Sequence, residues 1–71
     1  MANRGIKTEL TEREIIMLKG LAEGMNDNEI AEIIGFSSAT VNAAFPKIQL
    51  KLGATNRYNA LYLALKRKLI K

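Results

Sequence analysis

Residues 24–41 read G-M-N-D-N-E-I-A-E-I-I-G-F-S-S-A-T-V, and their order of caps, apolar residues and glycines decides the fold. Asn26 and Glu29 stand three apart, the spacing of a capping box that satisfies two otherwise orphaned backbone N–H groups. Ile30, Ala31, Ile33 and Ile34 then give the apolar side of a short helix over 27–34, which Gly35 ends. Phe36 is expected to plug the core from the turn. Ser37 caps the next helix, over 38–52, which runs through Val41 and Ile48 to Leu52 and stops at Gly53. Two short helices joined by a glycine-bearing turn, the second followed by basic residues, make a helix-turn-helix.

The flanks extend this pattern. Upstream, Thr11 precedes Glu14 by three residues and opens a helix over 11–23. Met17, Leu18, Leu21, Ala22 and Met25 follow at helical spacing, with Gly24 as the stop. Gly20 inside this helix costs about 1 kcal/mol relative to alanine, so another element is expected to pack closely there. Downstream, Asn56 caps a last helix over 57–68. The reading is an all-α, four-helix bundle in a single domain over 10–71, preceded by a flexible N-terminal arm over 1–9. A chain of 71 residues buries only about 60% of its unfolded surface, so its stability margin is thin and self-association would help.

Composition narrows the chemistry. The chain has no cysteine and no histidine, which removes disulfides, thiolate metal sites and the commonest general base. No nucleophile–base pair, phosphate-cradling loop or metal-spaced cluster appears, so neither an enzyme nor a cofactor or small-molecule ligand is expected. The longest apolar runs fall far short of the roughly 18 residues a membrane span needs, and no signal peptide opens the sequence. A soluble cytoplasmic protein is the expectation. All seven acids lie before residue 33, whereas residues 33–71 carry seven Lys or Arg and no acid. A wholly cationic half suits a polyanion such as nucleic acid; the competing reading is a solubilising basic tail, since Lys66, Arg67, Lys68 and Lys71 are four of the seven.

Within the 38–52 helix, Val41, Ile48 and Leu52 share one face and are expected to point at the core. Asn42, Ala43, Phe45, Pro46 and Gln49 then fall on or near the outward side. Asn42 has the groups to pair with adenine N6 and N7 in a major groove, or it is simply a surface amide near a helix start. Pro46 lies well inside the helix, where it removes one backbone bond and leaves the Asn42 carbonyl without its partner. A kink near 42–46 is expected.

With L-T-E-R-E at 10–14, the central stretch, and I-Q-L-K-L-G at 48–53, the chain resembles LuxR/FixJ/GerE-type bacterial DNA-binding domains. That resemblance implies binding of double-stranded DNA by the 38–52 helix. Base contacts in the family come largely from positions matching Asn42, Ala43 and Pro46. Backbone phosphates would be left to Ser38, Thr40, Lys47 and Lys51, the last matching the lysine of the family's K-L-G motif. Asn28, at the start of the preceding helix, is a further candidate, although relatives carry lysine there, and Asp27 beside it would repel phosphate. Relatives usually carry lysine where Asn42 stands and histidine where Ala44 stands. Arg57 also matches a family position and is expected to pair with Glu14.

The last helix is richer in apolar residues than one stripe can bury. Ala60 and Ala64 match the small residues by which the family's last helix packs on its own core. Tyr58, Leu61, Tyr62, Leu65 and Leu69 are then free for a partner, and the resemblance implies a homodimer formed through them. Two functions follow from these features. One is a stand-alone transcriptional regulator binding DNA as a dimer. The other is a protein-interaction module of the same fold that has lost base readout and pairs through its last helix with another regulator, as a heterodimer, or with another protein.

Overall fold

A computed structural model describes residues 9–70 of the chain. Four helices follow one another: α1 (Glu12–Ala22), α2 (Asp27–Ile34), α3 (Ser38–Leu52) and α4 (Arg57–Lys66). The described residues contain no strand. α3 packs against both α2 and α4, and α1 closes the bundle by touching the same two helices. The fold is the expected all-α helix-turn-helix bundle. Of the arm expected over 1–9, residues 1–8 lie outside the described residues, as does Lys71.

Side-chain caps set where each helix begins. Thr11 and Glu14 close a complete capping box on α1, Glu14 N donating to Thr11 Oγ1 at 3.1 Å and Thr11 N to Glu14 Oε1 at 2.9 Å. Asn26 and Glu29 do the same for α2, both bonds at 2.9 Å. Ser37 accepts from Thr40 N at 3.1 Å, and Asn56 accepts from Asn59 N at 2.7 Å. Each such cap satisfies donors that the first helical turn cannot, and is worth about 1 kcal/mol.

The last helix ends earlier than the expected 68. Arg67 caps α4, Lys68 turns into the left-handed region at φ 60°, and Leu69 N donates back to Ala64 O at 2.8 Å. This Schellman turn swings Ile70 back into the core, where it is only 5% exposed. A lysine in this conformation costs about 1 kcal/mol that glycine would not.

The core is built from Met17 and Leu18 of α1, Ile30 and Ala31 of α2, Val41, Phe45, Ile48 and Leu52 of α3, Ala60 and Ala64 of α4, and Ile70. Phe45 corrects the sequence expectation: it was placed outward, yet it is the largest side chain that is fully buried. The reason is its spacing. Val41, Phe45, Ile48 and Leu52 follow one another at four, three and four residues, a continuous helical stripe. Phe36 corrects it in the opposite sense. It is 41% exposed at the α2–α3 turn, with the Arg13 guanidinium 4.5 Å from its ring centroid. Phe45 already fills the centre, so Phe36 lies over the edge. Ala22, expected on the core stripe of α1, faces solvent.

α3 stays one unbroken helix through Pro46, so the proline does not split it. Pro46 is solvent-exposed, which leaves the carbonyl freed four residues earlier on the side where water can reach it.

The α1–α2 crossing is as tight as the glycine at 20 suggested. A Cβ on Gly20 would sit 2.9 Å from Ile30 Cγ1 and 3.3 Å from Met25 Sδ. Ile30 is 1% exposed and has nowhere to retreat. Gly20→Ala is therefore expected to lower stability by about 1 kcal/mol or more, although alanine favours an open helix by about 1 kcal/mol. Chemical denaturation of the two proteins under one set of conditions checks it; a midpoint raised by the alanine would show that α1 and α2 are free to separate.

Candidate nucleic-acid interface

The start of α2 and the start of α3 open onto one shallow concavity, lined by Asn26, Asp27, Asn28, Ser38, Ala39 and Asn42. Unpaired N–H groups and the positive ends of two helix dipoles therefore face a common space. Asn28 and Asn42 are exposed there and Ser38 is half-buried. Thr40 is exposed, but its hydroxyl lies 3.0 Å from Ser37 Oγ, so local capping already occupies it. Ala43, Pro46 and Lys47 continue the solvent-facing edge of α3. Thus Asn28 and Asn42 share one accessible concavity with Ser38, Ala43 and Pro46 are exposed on α3, and Lys47 lines a second depression with Thr40 and Ala44.

The two cations at the back of this surface are engaged. Lys51 Nζ donates to Glu14 Oε1 at 2.7 Å and to the Glu9 carbonyl at 3.3 Å, its side chain 20% exposed. Any phosphate contact by Lys51 would compete with both. Arg57 was expected to pair with Glu14; it pairs instead with Asp27, Nη1 donating to Oδ1 and Nη2 to Oδ2 at 3.4 Å. Its guanidinium also lies 4.1 Å from the Phe45 ring centroid, a cation–π contact at the edge of the core. Asp27 was expected to stand free and repel phosphate. With Arg57 donating to both oxygens and Asn42 Nδ2 also donating to Oδ2 at 3.3 Å, its charge is matched locally.

These pairs move both acids. The hydrogen bond from Arg57 holds the Asp27 carboxyl below its ordinary value; burial opposes this, and Asn42 adds to it. Burial pulls the Glu14 carboxyl upward, but the hydrogen bonds from Lys51 and the Thr11 backbone outweigh that, and it also ends low.

Comparison with known proteins identifies the family to which this fold belongs. The family described as "Bacterial regulatory proteins, luxR family" matches residues 8–64, from just before α1 into α4. The chain belongs to the LuxR family. The Bacillus subtilis (strain 168) transcriptional regulatory protein YdfI is 38% identical over 64 residues, covering 90% of this chain and 30% of YdfI. The Vibrio anguillarum transcriptional activator protein VanR is 48% identical over 56 residues, covering 79% of this chain and 23% of VanR. The Pseudomonas fluorescens transcriptional activator protein PhzR is 41% identical over the same length. The chain thus spans less than a third of each of these relatives. Membership places it among bacterial regulatory proteins.

Two features of this LuxR-family domain escaped the sequence reading. The first is the Phe45–Arg57–Asp27–Asn42 chain, which joins α4, α3 and α2; only the stripe at 41, 45, 48 and 52 hinted at it. The second is Leu61 on α4, which was expected to stand on the exposed face with its neighbours. Ala60 and Ala64 are completely buried and seat the helix, as expected, while Tyr58, Tyr62, Leu65 and Leu69 are 67, 56, 44 and 42% exposed. Leu61 is half-buried against the core and sits beside that stripe, not on it.

The lowered Asp27 and Glu14 values fix the sign of an acid effect. The folded state binds fewer protons than the unfolded chain, so their stabilisation is complete above the ordinary carboxyl range of about 4 and fades as pH falls through the folded values. Arg57→Ala is expected to cost about 1–2 kcal/mol at neutral pH, and to flatten the acid limb by releasing Asp27. Thermal melts from pH 7 down to pH 3 check both; an acid limb as steep as in the unmodified protein would show that Asp27 draws nothing from Arg57.

Proposed function

We propose that this chain is the DNA-binding part of a transcription regulator, acting as a dimer on double-stranded DNA. The observation that carries this reading is the edge of α3. On an element without a single acid, Asn42, Ala43, Pro46 and Lys47 face solvent beside two converging helix N-termini. In helix-turn-helix docking the second helix enters the major groove with its early residues toward base edges. Asn42 then serves base readout, with Ala43 and Pro46 in apolar or shape contact. Ser38, Thr40, Asn28 and Lys47 serve the backbone, and helix N-termini add to the pull on phosphate. Lys51 reaches phosphate only by exchanging Glu14 for it.

The exposed stripe Tyr58, Tyr62, Leu65 and Leu69 supports pairing of two copies through α4, with Leu61 at its margin. Such a dimer sets two α3 helices on half-sites about one helical turn apart. Action on a bacterial chromosome puts the protein in the cytoplasm; among the described residues no helix is long and apolar enough to cross a membrane.

A second reading draws on the same surface. Lys51 and Arg57 are held by acids, and Ala43 and Pro46 offer no side-chain donor, whereas α4 keeps a broad apolar face. On that reading the domain pairs with another regulator and reads no bases itself.

Fluorescence anisotropy of a labelled duplex at about 50 and 200 mM salt decides between them. The regulator reading expects binding that weakens steeply with salt and falls further in Lys47→Ala. Absence of binding at the lower salt, from protein shown to be folded, overturns it and leaves the interaction module. Leu65→Glu, at an exposed position, is expected to leave the fold intact and shift sedimentation to the monomer.

A further inference from the structure

Asn42 is held by a group that restricts which way its amide can face. Its Nδ2 lies 3.3 Å from Asp27 Oδ2. An ionised carboxylate only accepts hydrogen bonds, so the amide must turn its NH2 toward Asp27, and the assignment of nitrogen and oxygen follows from chemistry. Asp27 in turn cannot swing away. Arg57 grips it with two guanidinium nitrogens, and Arg57 is itself seated on the buried Phe45 ring. The Asn42 side chain is exposed, lines the concavity between the starts of α2 and α3, and has no other hydrogen-bond partner among the described residues.

We propose that Asp27 is a positioning residue for DNA readout: it fixes the Asn42 amide with the carbonyl oxygen outward, so that Asn42 selects a base bearing an exocyclic amino group. This rests on the DNA-binding reading above and adds the base class that α3 takes at one position. In the major groove, adenine N6 and cytosine N4 are donors, whereas guanine offers N7 and O6 and thymine O4, all acceptors. An outward oxygen pairs with the first two and meets acceptor against acceptor in the others. Adenine ranks ahead of cytosine, since its N7 can also take the amide's second N–H. The selectivity belongs to three residues far apart in sequence that hold one side chain still. An unrestrained asparagine, able to flip, would accept either class.

The test begins with a site selected from randomised duplexes by the full chain, followed by anisotropy on duplexes varied one base pair at a time. One position is expected to favour adenine over guanine or thymine by about tenfold, and Asn42→Ala to flatten that position alone. Asp27→Asn keeps a neutral partner for Arg57 but frees the amide to flip. It is expected to bring guanine and thymine at that position to within about twofold of adenine, while preferences elsewhere persist. A purely structural role for Asp27 would instead weaken all duplexes alike, and that outcome overturns the proposal. A probe that needs no protein variant keeps the test open should Asp27→Asn not fold. Purine in place of the adenine, lacking the 6-amino group, is expected to lose most of the preference, and 7-deazaadenine much less. The reverse order would mean that the nitrogen faces outward. Binding with no position dependent on Asn42 overturns this inference alone; no binding by the unmodified chain removes the DNA-binding reading with it.

Discussion

The seat of Phe45 beneath the Arg57 guanidinium is the contact on which the arrangement of this domain turns. The ring is the largest fully buried side chain, and it belongs to the helix that touches both α2 and α4. By lying over it, Arg57 anchors the start of α4, and by gripping Asp27 it draws in the start of α2. Three helices are thereby fixed at one junction. An apolar ring supplies the burial and a shared cation supplies direction, a combination that a small core needs because burial alone leaves so thin a margin.

That junction also shapes the surface above it. A carboxylate beside the proposed DNA-facing edge of α3 is unfavourable for phosphate unless its charge is met, and here Arg57 meets it from behind. The cost is a cation: Arg57 faces inward, as does Lys51 on Glu14, so the exposed edge of α3 is left with Lys47. The domain therefore presents hydrogen-bonding amides and helix N-termini where charge is sparse.

Most of the fold was legible in the sequence because its signals are local. The pairs Thr11–Glu14 and Asn26–Glu29, and Ser37 and Asn56, each act within one turn, so the helix starts could be read residue by residue. Gly20 spoke through its absence of a side chain, and Ile30 fills that space. The two phenylalanines were exchanged in the reading. Phe36 follows a helix end, where a hydrophobic contact is common, and Phe45 neighbours an exposed Pro46, so the local cues misled and the wider stripe from Val41 to Leu52 decided. Partners of Arg57 and Lys51 were not legible, because which acid a cation meets depends on how helices cross. Neither was the end of α4, where a lysine adopts the backbone conformation that glycine marks at Gly53.

Both ion pairs described above join an acid from the first half of the chain to a base from the second, thirty residues or more apart. The segregation behind them persists when the helices melt. Residues 1–32 carry seven acids and four bases, and residues 33–71 seven bases and no acid, so the unfolded chain is a charged diblock whose ends attract. Such a chain contracts at low ionic strength and expands as salt screens it over about 10 Å at 0.1 M. Added salt thus weakens attraction in the denatured ensemble as well as in the native pairs. The two losses oppose each other in the folding equilibrium, which leaves the domain's stability less sensitive to ionic strength than its ion pairs alone would make it.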